Sequence, residues 1–157
     1  MNAPAEHVQR IVCPIDFSDA SAAAERQAAS LAGALGAEVL LLHVATETPL
    51  YRETLGTPGV RQVFEAQRAW VSDTLAARVQ ALAGTGVRAR SVVKLGVPWQ
   101  EIVQTAIDEK ADMIVMGTQG RTGLDRLLIG SVAERVVRHA PCPVMTVRAE
   151  ARGGGAS

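Results

Sequence analysis

The chain has 157 residues, 48% of them hydrophobic and 20% charged, which suits a single globular domain able to bury about 68–70% of its unfolded surface. Sixteen basic and sixteen acidic residues cancel, so no global field draws it to nucleic acid or to an anionic membrane. No apolar run approaches the ~20 residues that cross a bilayer, and M-N-A-P-A-E-H-V-Q-R lacks the basic segment and apolar core of a signal peptide. A cytoplasmic location with neither nucleic-acid nor membrane partners is expected.

Residues 1–9 read as a flexible arm, residues 10–148 as one domain, and residues 149–157 (E-A-R-G-G-G-A-S after Ala149) as a disordered tail. Arg10–Ile15 is apolar almost throughout and predicts a central first strand, with Pro14 marking its carboxyl end because proline has no N–H for a ladder. Ser18, Asp19 or Ser21 can cap the alanine-rich helix that follows and stops near Gly36. Glu38–Val44 predicts a second buried strand, and residues 45–60, with their threonines, prolines and glycines, an irregular loop. A long helix spans about Arg61 to Ala83, with Val63, Phe64, Trp70, Val71, Leu75, Val79 and Leu82 as an approximate apolar stripe. Val87–Val93 alternates in polarity, as a half-exposed edge strand does. Pro98 opens a third helix, to about Glu109, at a position where its missing N–H costs nothing, and Glu101 lies in the favourable first turn. Cys13 and Cys142 have no metal-ligand spacing and read as small buried fillers in a reducing compartment.

The most informative stretch is Asp112–Ser131, D-M-I-V-M-G-T-Q-G-R-T-G-L-D-R-L-L-I-G-S. Met113–Met116 is the short apolar run of a fully buried parallel strand. Glycines follow at Gly117, Gly120 and Gly123, and Gly130-Ser131 opens a fourth helix whose apolar residues Val132, Ala133, Val136, Val137 and Ala140 recur at helical spacing. Glycine permits positive φ or close approach to a ligand. A strand, a glycine turn and a Gly-Ser helix start offer backbone N–H groups and a positive helix end to phosphate. Val144–Arg148 is the last strand.

Strands alternating with helices require a parallel sheet with right-handed crossovers. Five strands and four helices fit a doubly wound α/β fold, a Rossmann- or flavodoxin-like three-layer sandwich. In such a sheet ligands bind beyond the carboxyl ends of the strands where their order reverses. Asp16 falls just past the first strand and Gly117 just past the fourth, so both are expected at the carboxyl edge of the sheet, and on one crevice if those two strands are neighbours.

The spacing G-x2-G-x9-G-S, at Gly117, Gly120, Gly130 and Ser131, resembles the nucleotide-binding signature of the universal stress protein family, in its ATP-binding branch. V-C-P-I-D-F-S, L-L-L-H-V and A-P-C-P-V-M-T-V-R resemble that family too, so the likeness covers roughly residues 9–148. It implies the strand order 3-2-1-4-5, which puts the reversal between strands one and four. It implies that Asp16 accepts hydrogen bonds from ribose, that Val44 meets the adenine ring, and that Pro14 and Met116 complete an apolar slot. Gly117, Gly120, Gly130 and Ser131 would hold the phosphates, with Val132 also among the cofactor-binding residues; Arg121 and Arg126 either add charge there or form a solvated loop face. Mg²⁺ would come with the triphosphate, held mainly by phosphate oxygens and water; Asp16 and Asp125 are the nearest protein carboxylates. Bulk at Gly117 is expected to block approach to the phosphates and leave the fold largely intact. The resemblance also implies a homodimer through Val144–Arg148, an uncovered edge.

Other motifs are absent or out of place. G-T-G-V-R-A at Gly84–Ala89 has dinucleotide spacing but follows a helix and precedes a strand. There is no P-loop, serine elbow or zinc-helix motif. His43 should point away from Val44, and Trp70 and Trp99 read as packing residues on helices. The expected function is an ATP-binding, stress-response regulator with little or no hydrolysis, acting on an unidentified regulatory partner. The alternatives are a slow ATPase or phosphotransferase using Ser131 or Asp16, and a nucleotide-free dimeric interaction module.

Overall fold

The computed structural model describes residues 7–46, 53, 56–119 and 128–149. Its elements are β1 (Arg10–Pro14), α1 (Asp19–Leu35), β2 (Glu38–Ala45), α2 (Pro58–Gly84), β3 (Arg88–Leu95), α3 (Pro98–Asp108), β4 (Met113–Gly117), α4 (Ser131–His139) and β5 (Val144–Val147). The sheet is parallel, in the order β3-β2-β1-β4-β5. The doubly wound α/β architecture is therefore the one expected, with helices on both faces.

Alternation along the strands divides the core in two. Ile11, Cys13 and Ile15 of β1 and its extension join Val39, Leu41 and Val115 beneath α1 and α2. Val12 joins Leu40, Leu42, Ile114 and Met116 beneath α3 and α4. Cys13 and Cys142 belong to opposite layers and are both free thiols; burial pushes both upward from the ordinary thiol range. Val8 packs against the first layer, and the Gln9 N–H donates to Asp112 Oδ2 at 2.8 Å.

Alanines at 20, 23, 24, 28 and 32 are the buried face of α1 and let it lie close on the sheet. Ser18 is its N-cap, its hydroxyl accepting from the Ser21 N–H at 3.1 Å, and Gly36 ends it in the left-handed region at φ 68°.

Helix α2 begins at Pro58 rather than Arg61, with Thr57 as N-cap and proline in the first turn. The predicted apolar stripe is only half a core stripe. Val71, Leu75 and Leu82 are buried, whereas Val63 is 66% and Trp70 54% exposed. Trp70 instead meets Phe17 edge-on, with 5.0 Å between ring centroids. Trp99 does pack into the second layer and lies 5.0 Å from the His139 ring.

Candidate functional site

The crevice follows from strand register. β1 pairs with β2 from Arg10↔Glu38 through Pro14↔Leu42, but with β4 only at Ile11↔Met113 and Val12↔Ile114. Beyond Val12 the two central strands part, at the position where strand order reverses. A cavity of about 570 Å³ opens there, within the range of small-molecule sites.

Pro14, Asp16, Val44, Met116, Gly117, Gly130, Ser131 and Val132 all line this one cavity. Met116, Val44 and Val132 belong to the second apolar layer and form its greasy floor. Gly120 and Arg121 lie outside the described residues, as do Arg126 and Asp125.

Asp16 ends the β1 extension. Its Oδ1 accepts from the Ser18 N–H at 3.0 Å and from the Ser18 hydroxyl at 2.5 Å. The carboxylate is thus built into the turn that starts α1, while Ser18 and not Asp16 caps the helix. His43 faces the layer opposite Val44, as expected, and its Nδ1–H donates to the Ile15 carbonyl at 2.7 Å.

All four helices begin on this side of the sheet, and only α1 has a side-chain cap. α1 is closed by its own Ser18 hydroxyl. α3 starts with Pro98, which has no N–H, and carries Glu101 in its first turn. α4 has Gly130 as N-cap, in extended conformation at φ −61°, ψ 157°, with no side chain to accept from the first turn. Neither α3 nor α4 has a side-chain cap and each carries an acid in its first turn, Glu101 and Glu134, but α4 loses no donor to proline; its first N–H groups can meet an anion, and Ser131 stands exposed beside them.

The glycines also answer a demand of the fold itself. Gly117 and Gly130 are not among the described glycines with positive φ, which are Gly36, Gly86 and Gly96. A Cβ on Gly117 would lie 2.8 Å from the Ala20 carbonyl carbon and 3.0 Å from its oxygen. One on Gly130 would lie 2.9 Å from the Thr118 carbonyl oxygen, which already accepts from the Gly130 N–H. Gly117 is thus required by the seat of α1 on β4. The expectation that bulk there would spare the fold is corrected, because the obstacle is backbone and cannot swing aside.

The cavity also has a wall that sequence reasoning did not supply. Phe64, Gln67, Arg68 and Val71, spaced as one helical face, line it from α2 together with Trp70 and His43. The i, i+3, i+4, i+7 spacing was the available signal, but it is the same signal that marks a core face. Phe17 is the other omission. It has φ 64°, left-handed for a residue with a bulky side chain.

Residues 7–148 match the Universal stress protein family. The chain belongs to the universal stress protein family. Universal stress protein MJ0531 of Methanocaldococcus jannaschii is 39% identical over 150 residues, covering 89% of this chain and 82% of that one. Among solved structures, MJ0577 of the same organism superposes with a TM-score of 0.80 at 28% identity, over 92% of this chain and 98% of that one. A universal stress protein from Archaeoglobus fulgidus, solved in complex with dAMP, superposes with a TM-score of 0.62 at 25% identity, over 90% of this chain and 98% of that one. Five parallel strands in the order 3-2-1-4-5 with helices on both faces are the fold that this universal stress protein shares with those structures.

Among the described residues, no group of three or more His, Cys, Asp or Glu is placed to hold a metal ion, and no helix is long and apolar enough to cross a membrane.

Proposed function

We propose that this universal stress protein binds ATP in the crevice between β1 and β4 and acts as a cytoplasmic, ligand-regulated component of a stress response. The observation that carries the reading is the start of α4 on the cavity wall. The N-terminus of α4, with no side-chain cap and a serine at its first position, opens onto an apolar-floored cavity that also contains a carboxylate. Apolar floor, carboxylate and free N–H groups are the complements of a base, a ribose and a phosphate chain. The dAMP held by the Archaeoglobus relative supports an adenine nucleotide as the ligand class.

In this reading Pro14, Val44 and Met116 contact adenine, and Asp16 accepts from the ribose. Gly117, Gly120, Gly130, Ser131 and Val132 hold the phosphates, with Arg121 contributing charge. Mg²⁺ would enter with the triphosphate on phosphate oxygens and water, since Asp16 is the only described carboxylate on the cavity wall. ATP would act by shifting populations between states that bind a protein partner differently. The edge of β5, each of whose residues is half-buried in the single chain, would pair with a second copy; a monomeric sedimentation profile at micromolar concentration would rule the dimer out.

The test is calorimetric titration of nucleotide-stripped protein with ATP and Mg²⁺, with phosphate release followed on the same sample. Saturable binding without steady release is the expected result. Sustained release would turn the reading toward a slow ATPase, and a folded protein that binds no ATP toward an interaction module.

A further inference from the structure

Phe17 stands between the cavity carboxylate Asp16 and the helix cap Ser18, and its backbone is left-handed at φ 64°. A side chain with a Cβ enters that region only when its surroundings hold it there. The surroundings are on the page. The Phe17 ring lies 5.0 Å from the His43 ring of β2 and 5.0 Å, edge-on, from Trp70 of α2. The Arg78 guanidinium, also from α2, sits 5.4 Å from its centroid and is ion-paired with Glu25 of α1. These are attractive geometries for aromatic and cation–aromatic contacts.

The residue before Asp16 is held just as firmly. The Ile15 N–H donates to the Leu42 carbonyl at 2.8 Å, and its own carbonyl accepts from His43 Nδ1 at 2.7 Å. Asp16 is therefore bracketed on one side by β2 and on the other by a ring clamped from α2, with Ser18 bonded back to its Oδ1.

We infer that Phe17 is a positioning residue: its ring, gripped by Trp70, Arg78 and His43, locks the left-handed turn that holds the Asp16 carboxylate at the cavity wall. Helix α2 is thereby coupled to the part of the site that reads ribose hydroxyls. Glycine would adopt the same φ without strain but would leave the turn unlocked. The ring therefore supplies rigidity, which the backbone conformation alone does not. This inference rests on the nucleotide reading, in which Asp16 contacts the ribose.

The test compares ATP with 2′,3′-dideoxy-ATP, which lacks the hydroxyls a carboxylate would accept from, on wild type, Phe17→Tyr and Phe17→Gly. Two hydrogen bonds to a fixed carboxylate should give wild type a preference of about tenfold or more for ATP. Phe17→Tyr should keep that preference, and Phe17→Gly should reduce it to about twofold or less with dideoxy-ATP affinity little changed. Glu25→Gln combined with Arg78→Met, neither of which lines the cavity, should lower the preference in the same direction. Amide exchange at Ser18 needs no ligand, and it should quicken about tenfold in Phe17→Gly while Val12 in β1 stays protected. An unchanged preference in Phe17→Gly would overturn the positioning role even with binding intact. If wild type binds no ATP, the nucleotide reading fails by itself, and unchanged Ser18 exchange in Phe17→Gly would then separately overturn the lock.

Discussion

At the amino edge of the sheet, polar groups answer one another; at the carboxyl edge, 5 residues further along each central strand, several are turned toward a cavity. Arg90 Nε meets Glu38 Oε1 at 2.9 Å, and its other nitrogens clasp Glu109. Arg10 stands 3.6 Å from Glu38 and 3.9 Å from Glu109. Asp112 Oδ2 accepts from the N–H groups of Gln9 and Arg10 at 2.8 and 2.9 Å. Around Gly130 the arrangement is the reverse, a helix start with no side-chain cap facing open volume. Both edges end the same strands with the same core beneath them. The difference teaches that binding capacity arises where the fold withholds its own side chains from backbone donors.

The largest effect that would break this comparison is expected from Gly117→Val. The new Cβ meets the Ala20 backbone at 2.8–3.0 Å, so α1 must lift from β4 at a cost of about 3 kcal/mol. Urea denaturation should show this loss with or without nucleotide. An unchanged midpoint would mean that the α1–β4 seat yields easily, and Gly117 would return to being a probe of ligand approach. Asp16→Ala should have the next effect, lowering ATP affinity about tenfold, with a loss of about 1 kcal/mol in stability from the freed Ser18 bonds. Calorimetry and denaturation on one preparation separate the two. Lost stability with unchanged affinity would make Asp16 a turn-former only, and would erase the carboxyl edge's claim to read a ligand.

What could be read from the residues follows the same division. β1 and β4 were legible because strands buried on both faces are apolar throughout, and Pro14 marked the end of β1 by chemistry alone. The convergence of Asp16 and Gly117 was legible because a parallel sheet puts both at its carboxyl edge and the family resemblance implied the order that makes β1 and β4 neighbours. The α2 wall was not, since Phe64, Trp70 and Val71 show one periodicity whether they meet a sheet or a cavity. Nor was the left-handed Phe17, whose conformation depends on Trp70 and Arg78, more than fifty residues away. Gly117 was singled out correctly for close approach, but the approaching backbone proves to be that of Ala20. Local pattern identifies elements and strand ends; contacts between distant elements decide why a given residue stands there.

Glu109→Gln should have the smallest effect, and it sharpens the comparison from the other edge. Hydrogen bonding to Arg90, opposed by partial burial and helped by the charges of Arg90, Arg10 and Lys94, holds the Glu109 carboxyl below its ordinary range; the same bond raises Arg90. A carboxyl whose folded pKa is depressed contributes stability that is fully present above the unfolded value, about 4.3 for glutamate, and is lost as pH falls through the folded value. The Arg90 and Glu109 side chains are 42% and 30% exposed, so solvent and salt screen the pair and its worth is about 0.5 kcal/mol. Denaturation of wild type and variant should therefore differ slightly at neutral pH and converge in acid, and added salt should shrink the neutral-pH gap. ATP affinity should not change, because Glu109 lies at the end of the sheet away from the cavity. A change in affinity would show that charge at the amino edge is felt across the length of the strands, and the two edges could no longer be treated as independent.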